Sequence, residues 1–330
     1  MRLRRSRTGR PGYTRVRRGR GFSYRDQTGA PLTDEAELTR IASLVIPPAW
    51  KDVWICPDPR GHIQAMGTDA AGRRQYLYHS EWRRQRDEAK FDHVLEVAPH
   101  LPELRRTVED DLAGRGLNRR RVLATVTRLI DLGLFRVGSE QYASGDDPSY
   151  GVATLLREHV EFQRGRVVFR YRAKGGIDQV RVVDDPAAAA VLRSLRRRDG
   201  DRLFVYRAGQ QWREVRSDDV NEYLREASGV EMTAKDFRTW HATVLAAVLL
   251  AEAGPRGSDR ARRKVVTEVM RGVAEQLGNT PAVAKSSYVD PRVVELYEQG
   301  VTVPLPGGVG DEDLQPKLED AVLQMLRAVA

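Results

Sequence analysis

Cysteine is almost absent from the 330 residues: Cys56 stands alone. No intramolecular disulfide can staple the fold, and one thiol among six scattered histidines gives no zinc-ligand spacing. Long apolar runs are missing too. The longest, around residues 242–251, is too short to span a bilayer and reads as a core helix. No apolar signal-peptide region follows the N-terminal arginines. Acidic residues are scarce at that end: Arg2, Arg4, Arg5, Arg7, Arg10, Arg15, Arg17, Arg18, Arg20 and Arg25 face only Asp26 in the first thirty residues. What is present is a basic chain, net charge +9, with 41% hydrophobic residues. Such a charge faces a polyanion, either nucleic acid or an anionic membrane, unless it belongs to a solvated tail. Composition therefore predicts a soluble, cytoplasmic, metal-independent protein that touches nucleic acid and no membrane.

A chain of this length accommodates two domains. Residues 1–30 read as an arginine-rich segment of disordered character. Residues 31–45 (PLTDEAELTRIASLV) predict a short helix capped near Thr33 and stopped by Pro47 and Pro48. From residue 50 to 78, aromatic and β-branched residues alternate with polar ones among Gly, Pro and Asp, the pattern of short antiparallel strands. From Ser80 onward the period is mostly helical, which places a boundary near residue 90. Inside the helical part, RVVFRYRA (166–173) and IDQVRVV (177–183) flank Lys174-Gly175-Gly176, a hairpin with a lysine at its tip. Helices are expected at 217–227, 233–253 and 263–277, with a polar, basic loop at 254–263. The expected fold is α+β: a small β-rich N-terminal domain at 31–90 and a larger, mainly helical domain at 91–330 that carries a hairpin.

GNTPAVAKSSYVD (278–290) sets Thr280 and Pro281 as a helix N-cap and first position, with Tyr288 one short helix later. By itself such a tyrosine is a packed side chain. As a nucleophile on a phosphodiester it needs help: with a pKa near 10, roughly one phenol in a thousand is ionised at neutral pH. Enzymes acting on such slow reactions supply on the order of 20 kcal/mol. Without a metal, that help comes from arginines on the non-bridging oxygens and an acid for the leaving oxygen. Arg136, Lys174, Lys235 and Arg238 are candidates, the last two being three apart on one helix face. Any one of the 55 Lys and Arg read singly is a surface charge; the ordered set carries the signal.

In that order, residues 45–300 resemble the type IB DNA topoisomerases, in the compact bacterial and poxvirus branch. IPPAWKDVWICPDPRGHIQAMGTDAAGRRQYLYH (46–79) is similar to the family's N-terminal domain, and RVGSEQYA (136–143) with SYGVATLLREHV (149–160) to its first-arginine segment. FRYRAKGG (169–176) resembles the catalytic-lysine hairpin, KDFRTWHATV (235–244) the second-arginine helix, and NTPAVAKSSY (279–288) the nucleophile segment. The resemblance implies that Tyr288 attacks the scissile phosphate to form a 3′-phosphotyrosyl link. Lys174 is then the general acid assisted by Arg136, Arg136 and Arg238 hold the phosphorane, and Lys235 lies close to it. It implies relaxation of duplex DNA by swivelling and religation, without ATP, metal or other cofactor. Asn279 stands where many relatives have histidine; its amide can donate to a non-bridging oxygen but cannot carry a proton. The resemblance further implies DNA contacts by Arg74, Gln75, Tyr76, Tyr78 and Tyr142, and a monomer that closes around DNA as a clamp in the cytoplasm, associated with the nucleoid. A tyrosine recombinase shares the Arg-Lys-Arg-Tyr set, but usually has His-x-x-Arg where this chain has Lys235 and Arg238, and a helical N-terminal part. A non-catalytic architectural nucleic-acid binder is the third reading, from charge alone.

Overall fold

Period-two alternation at the N-terminal end and helical periodicity beyond it give the chain two units, residues 1–90 and 91–330. The computed structural model describes residues 2–133, 135–144, 147–198, 200–305 and 314–329.

The first unit is an antiparallel sheet of β1 (Tyr13–Arg18), β2 (Gly21–Arg25), β3 (Lys51–Ile55), β4 (Ile63–Thr68) and β5 (Arg74–Tyr78), in the order β2-β1-β3-β4-β5. Helix α1 (Glu35–Ser43) lies between β2 and β3 in the chain. The Asp34 carboxylate caps its N-terminus by accepting from the N–H groups of Ala36 and Glu37, one position later than the expected Thr33. Ile41 of α1 packs with Val53, Ile55 and Ala65, flanked by Tyr13, Tyr24 and Leu77.

The arginine-rich segment departs from the expectation of disorder. Residues 13–25 form the β1-β2 hairpin, and β1 pairs with β3. Further upstream, Arg4 exchanges main-chain bonds with Arg60 and His62 at 2.8 and 2.9 Å, and the Ser6 hydroxyl donates to the Ile63 carbonyl at 2.8 Å. Composition misleads here because one arginine works inside the fold. Arg15 donates to the carbonyls of Ile46, Pro47 and Trp50 at 3.1, 3.0 and 2.8 Å, with its guanidinium 4.2 Å from the centre of the Phe22 ring.

The second unit receives the chain through α2 (Ser80–Val97) and continues with α3 (Leu101–Ala113), α4 (Arg119–Gly133) and the short α5 (Glu140–Ala143). A three-stranded antiparallel sheet follows, made of β6 (Val160–Gln163), β7 (Arg166–Ala173) and β8 (Ile177–Val183) in sequence order. Then come α6 (Pro186–Arg196), the hairpin β9 (Val205–Ala208) with β10 (Gln211–Glu214), α7 (Ser217–Ser228), α8 (Ala234–Ala253) and α9 (Asp259–Leu277). The chain closes with α10 (Pro281–Ser287), α11 (Pro291–Glu298) and α12 (Leu314–Arg327). The expected loop at 254–263 is shorter than its composition suggests, since the Ser258 hydroxyl caps α9 at once and makes residues 259–263 its first turn. One apolar core joins these helices to the inner face of β7.

Four of the helices meet at a buried ionic cluster. Arg105 of α3 donates to both oxygens of Asp131 on α4 at 2.8 and 3.0 Å, and to both oxygens of Glu319 on α12 at 2.8 and 2.9 Å. His241 of α8 lies 2.8 Å from Asp131. Burial alone would raise the Asp131 carboxyl, but the bonds and charges of His241 and Arg105 outweigh it and hold the group well below the usual range. A lowered folded-state pKa stabilises at pH above the unfolded value, about 3.9, and the contribution is lost as pH falls from there toward the folded-state value. Arg105→Ala is expected to cost about 3–5 kcal/mol, because it strands two buried carboxylates. Urea denaturation at neutral pH measures this, and a loss below about 1 kcal/mol, the surface-pair range, would contradict the assignment.

Candidate active site

Helix α8 supplies the floor of the site. Its first turn is closed by Asp236, whose Oδ2 accepts from the Thr233 N–H at 2.8 Å and the Thr233 hydroxyl at 2.9 Å. One face then carries Lys235, exposed, and Arg238, only 3% exposed. Further along, the Thr243 hydroxyl donates to the Tyr288 carbonyl at 3.3 Å and accepts from the Asp290 N–H at 3.1 Å. The same helix thus holds Arg238 and the main chain on which Tyr288 rides.

Tyr288 arrives through a turn written into the sequence. Helix α9 ends at Gly278, whose φ of +62° is a left-handed cap favoured by glycine, and the Asn279 N–H closes the turn on the Ala274 carbonyl at 2.9 Å. The Thr280 hydroxyl then caps α10 with Pro281 at its first position, and Tyr288 terminates that helix. Asn279 and Tyr288 therefore bracket one short helix.

Arg136 enters from the segment after α4. Phe135, fully buried, stacks on Tyr171 of β7 with ring centres 5.8 Å apart and meets Phe169 edge-on at 5.0 Å. Beyond it the backbone pairs closely with residues 151–153: the Val152 N–H donates to the Arg136 carbonyl at 2.8 Å. A Cβ on Gly151 would lie 2.4 Å from the Gly138 nitrogen and 2.6 Å from the Arg136 oxygen, so this approach needs glycine.

The end of α9 seats both arginines. Arg238 Nη2 donates to the Leu277 carbonyl at 2.8 Å; Arg136 Nη2 donates to the Gly278 carbonyl at 3.2 Å and to Asn279 Oδ1. These acceptors are neutral, so they orient the guanidinium groups without cancelling their charge. Burial, followed by the repulsion of Arg136 and Arg181 and opposed by Tyr288, pushes the Arg238 guanidinium down to about 10. It remains charged at neutral pH and gains from any anion placed beside it. The Arg238 guanidinium carbon lies 5.3 Å from the centre of the Tyr288 ring. Burial works to raise the Tyr288 phenol, yet the charge and hydrogen bond of Arg238, then Arg136 and Lys235, prevail and hold it below its ordinary value. Asn279 Nδ2 is covered from solvent and finds no acceptor among the described residues. A buried donor left unspent in this way is a place prepared for a ligand oxygen.

Of the sequence-expected residues, Arg136, Lys235, Arg238, Asn279 and Tyr288 come together. Lys174 sits at the exposed tip between β7 and β8, its Nζ 5.7 Å from the centre of the Tyr142 ring. Tyr142, 38% exposed, is thereby joined to the lysine and not to the arginines. In the other unit, Arg74, Tyr76 and Tyr78 share the exposed face of the edge strand β5, the tyrosines 38% and 39% exposed and stacked at 6.1 Å. Gln75 points to the opposite face and donates to Asp69 at 2.9 Å, apart from that set. Sequence reasoning missed Tyr171, Gln179 and Arg181: the charges of Arg181, Arg238 and Arg136 all act on the Tyr171 phenol. The strand alternation that defined the hairpin already placed these three on one face. Among the described residues no three His, Cys, Asp or Glu side chains converge as a metal-binding group, and no helix is long and apolar enough to cross a membrane.

A phenol framed by oriented cations, on a helical unit preceded by a β-rich one, defines a class of protein suited to transesterification at phosphodiesters. Comparison with known proteins gives the family. Residues 79–301 match the family described as eukaryotic DNA topoisomerase I, catalytic core, and residues 21–69 match the bacterial DNA topoisomerase IB N-terminal domain. The chain is similar to DNA topoisomerase 1B of Acanthamoeba polyphaga mimivirus, 31% identical over 285 residues that cover 84% of each chain. The chain belongs to the type IB DNA topoisomerases.

The arginine frame makes a titration prediction. The difference in phenolate absorbance between the intact protein and Tyr288→Phe is expected to show a midpoint below pH 10, where free tyrosine ionises. Arg238→Ala should move that midpoint upward. An upward displacement already present in the intact protein would contradict the arrangement.

Proposed function

We propose that Tyr288 is the nucleophile with which this topoisomerase cuts one strand of duplex DNA, and that Arg136, Arg238 and Asn279 hold the phosphate it attacks. The observation that carries the reading is the seating of both arginines on neutral oxygens beside a phenol held below its ordinary pKa, with Asn279 Nδ2 unspent. Oriented cations of this kind stabilise charge that develops in the transition state.

The phenol oxygen of Tyr288 attacks phosphorus and the phosphorus–O5′ bond breaks. A 3′-phosphotyrosyl ester and a free 5′-hydroxyl result. The phenol gives up its proton to solvent as it attacks, Lys174 delivers one to the departing 5′-oxygen and regains one from solvent, so no net proton is consumed. Arg136 and Arg238 take the non-bridging oxygens, with Asn279 Nδ2 as a neutral third donor. Lys235 adds positive charge at the exposed rim. Religation is the reverse transfer: the ester preserves the bond energy, and between the two steps the free end swivels and superhelical tension falls.

Both units grip the duplex in this reading, as a monomeric clamp, with Arg74, Tyr76 and Tyr78 of β5 and Tyr142 beside Lys174 meeting DNA. The cytoplasm, on the nucleoid, is the proposed setting. Phosphate contacts dominate such binding, so affinity is expected to fall about 10³- to 10⁵-fold between roughly 50 and 200 mM salt if about six to ten phosphates are neutralised.

Relaxation of negatively supercoiled plasmid in EDTA without ATP tests the reading. The intact protein is expected to relax the plasmid, and Tyr288→Phe to bind it while leaving it supercoiled. Relaxation by Tyr288→Phe, or a requirement for added metal or ATP, would contradict it.

A further inference from the structure

Gly278 is the point at which the site is most tightly drawn. Its carbonyl receives Arg136, the preceding carbonyl receives Arg238, and Asn279 follows it. The Gln179 side chain covers it from outside α9: a Cβ built on Gly278 would lie 2.7 Å from both Nε2 and Oε1 of Gln179. Gln179 belongs to β8, directly opposite Tyr171 of β7, and the β7-β8 ladder runs on through Ala173 and Ile177 to the turn that carries Lys174. The Gln179 amide is itself held in place, because its Oε1 accepts from Arg181 Nη2 at 2.9 Å. Arg181 faces the same centre: its charge acts on Tyr171 and on Arg238. The hairpin with the exposed lysine and the segment with the nucleophile are thus joined at one amide.

We propose that Gln179, held by Arg181, is a positioning residue that sets the Gly278–Asn279 turn, and through it Asn279 and Arg136, in register with the phosphate. It touches no reacting atom. It acts by packing on a backbone that has no side chain of its own to fix its position, in the one turn where both arginines find their acceptors. The inference rests on the phosphate-holding roles proposed above for Arg136, Arg238 and Asn279. A displacement of about 1 Å at such a centre can cost on the order of 100-fold in rate.

The test is single-turnover cleavage by the full-length protein of a duplex whose short 5′-hydroxyl fragment dissociates after cutting. Two substrates are used, one with the natural 5′-oxygen and one with sulfur in that bridging position. A thiolate leaves without a proton, so the sulfur substrate has no need of a general acid. Gln179→Ala is expected to cleave the oxygen substrate about 10- to 100-fold more slowly, with unchanged DNA affinity and melting temperature, and to keep that deficit on the sulfur substrate. Lys174→Ala should lose its deficit there. Combining Gln179→Ala with Asn279→Ala should give a deficit smaller than the product of the two single deficits by more than the twofold or so expected of independent sites, because part of the Gln179 effect passes through Asn279. Should the alanine variant melt early, Gln179→Met, which retains packing on Gly278 without accepting from Arg181, replaces it with a smaller deficit expected in the same direction. Cleavage by Gln179→Ala at the intact rate overturns the inference, as does a deficit that vanishes with sulfur, which would put its action on Lys174, or deficits that multiply in the double variant. A Lys174→Ala deficit that survives sulfur overturns the acid assignment instead, and the Gln179–Asn279 comparison still decides the positioning role.

Discussion

The hydrogen bonds from Arg136 and Arg238 to the last carbonyls of α9 are what the rest of the site depends on. A helix C-terminus leaves carbonyls without intrahelical partners and carries partial negative charge. Here those carbonyls receive guanidinium groups. Had carboxylates been the acceptors, the cations would be neutralised before any phosphate arrived. Neutral oxygens fix direction and leave net charge, and that charge, working against burial, holds the Tyr288 phenol below its ordinary value. A left-handed glycine, two seated arginines and a tyrosine one short helix later are consequences of the same turn.

That turn is supported from several directions in the larger unit. Thr243 bridges α8 to the main chain on either side of Val289, and Phe135 wedges the Arg136 segment against β7. His241, one turn beyond Arg238, belongs to the ionic cluster that ties α8 to α4 and to Glu319 of α12. A buried ion pair adds little net stability over apolar packing, yet breaking one is costly. Here the cluster ties α8, one turn past Arg238, to α4 and α12.

Much of this was legible in the chain. The hairpin between residues 166 and 183 appeared with the expected bounds, because alternation and a Lys-Gly-Gly turn admit few other structures. The Thr280-Pro281 cap and the short helix to Tyr288 followed from local chemistry in the same way. Where reading failed, a side chain did work that its type does not advertise. Arg15 bonds three carbonyls within the first unit and turns an apparent basic tail into part of a sheet. Period two sets Gln179 on the inner face with Tyr171 and Arg181, but a polar side chain beside a lysine-tipped turn carries no local sign of the distant glycine it packs on. Tertiary contacts between distant segments, such as Arg136 with Gly278, leave no local trace.

On the proposed mechanism, Tyr288 becomes linked to DNA through the phosphate those arginines hold. The most direct test is to trap the covalent complex on a duplex labelled at both ends of the cut strand, digest it with protease, and identify the DNA-bearing peptide by mass spectrometry. One modified residue, Tyr288, is expected, joined to a 3′-phosphate, with a free hydroxyl on the 5′ fragment. Linkage through another tyrosine, or through a 5′-phosphate, would contradict it.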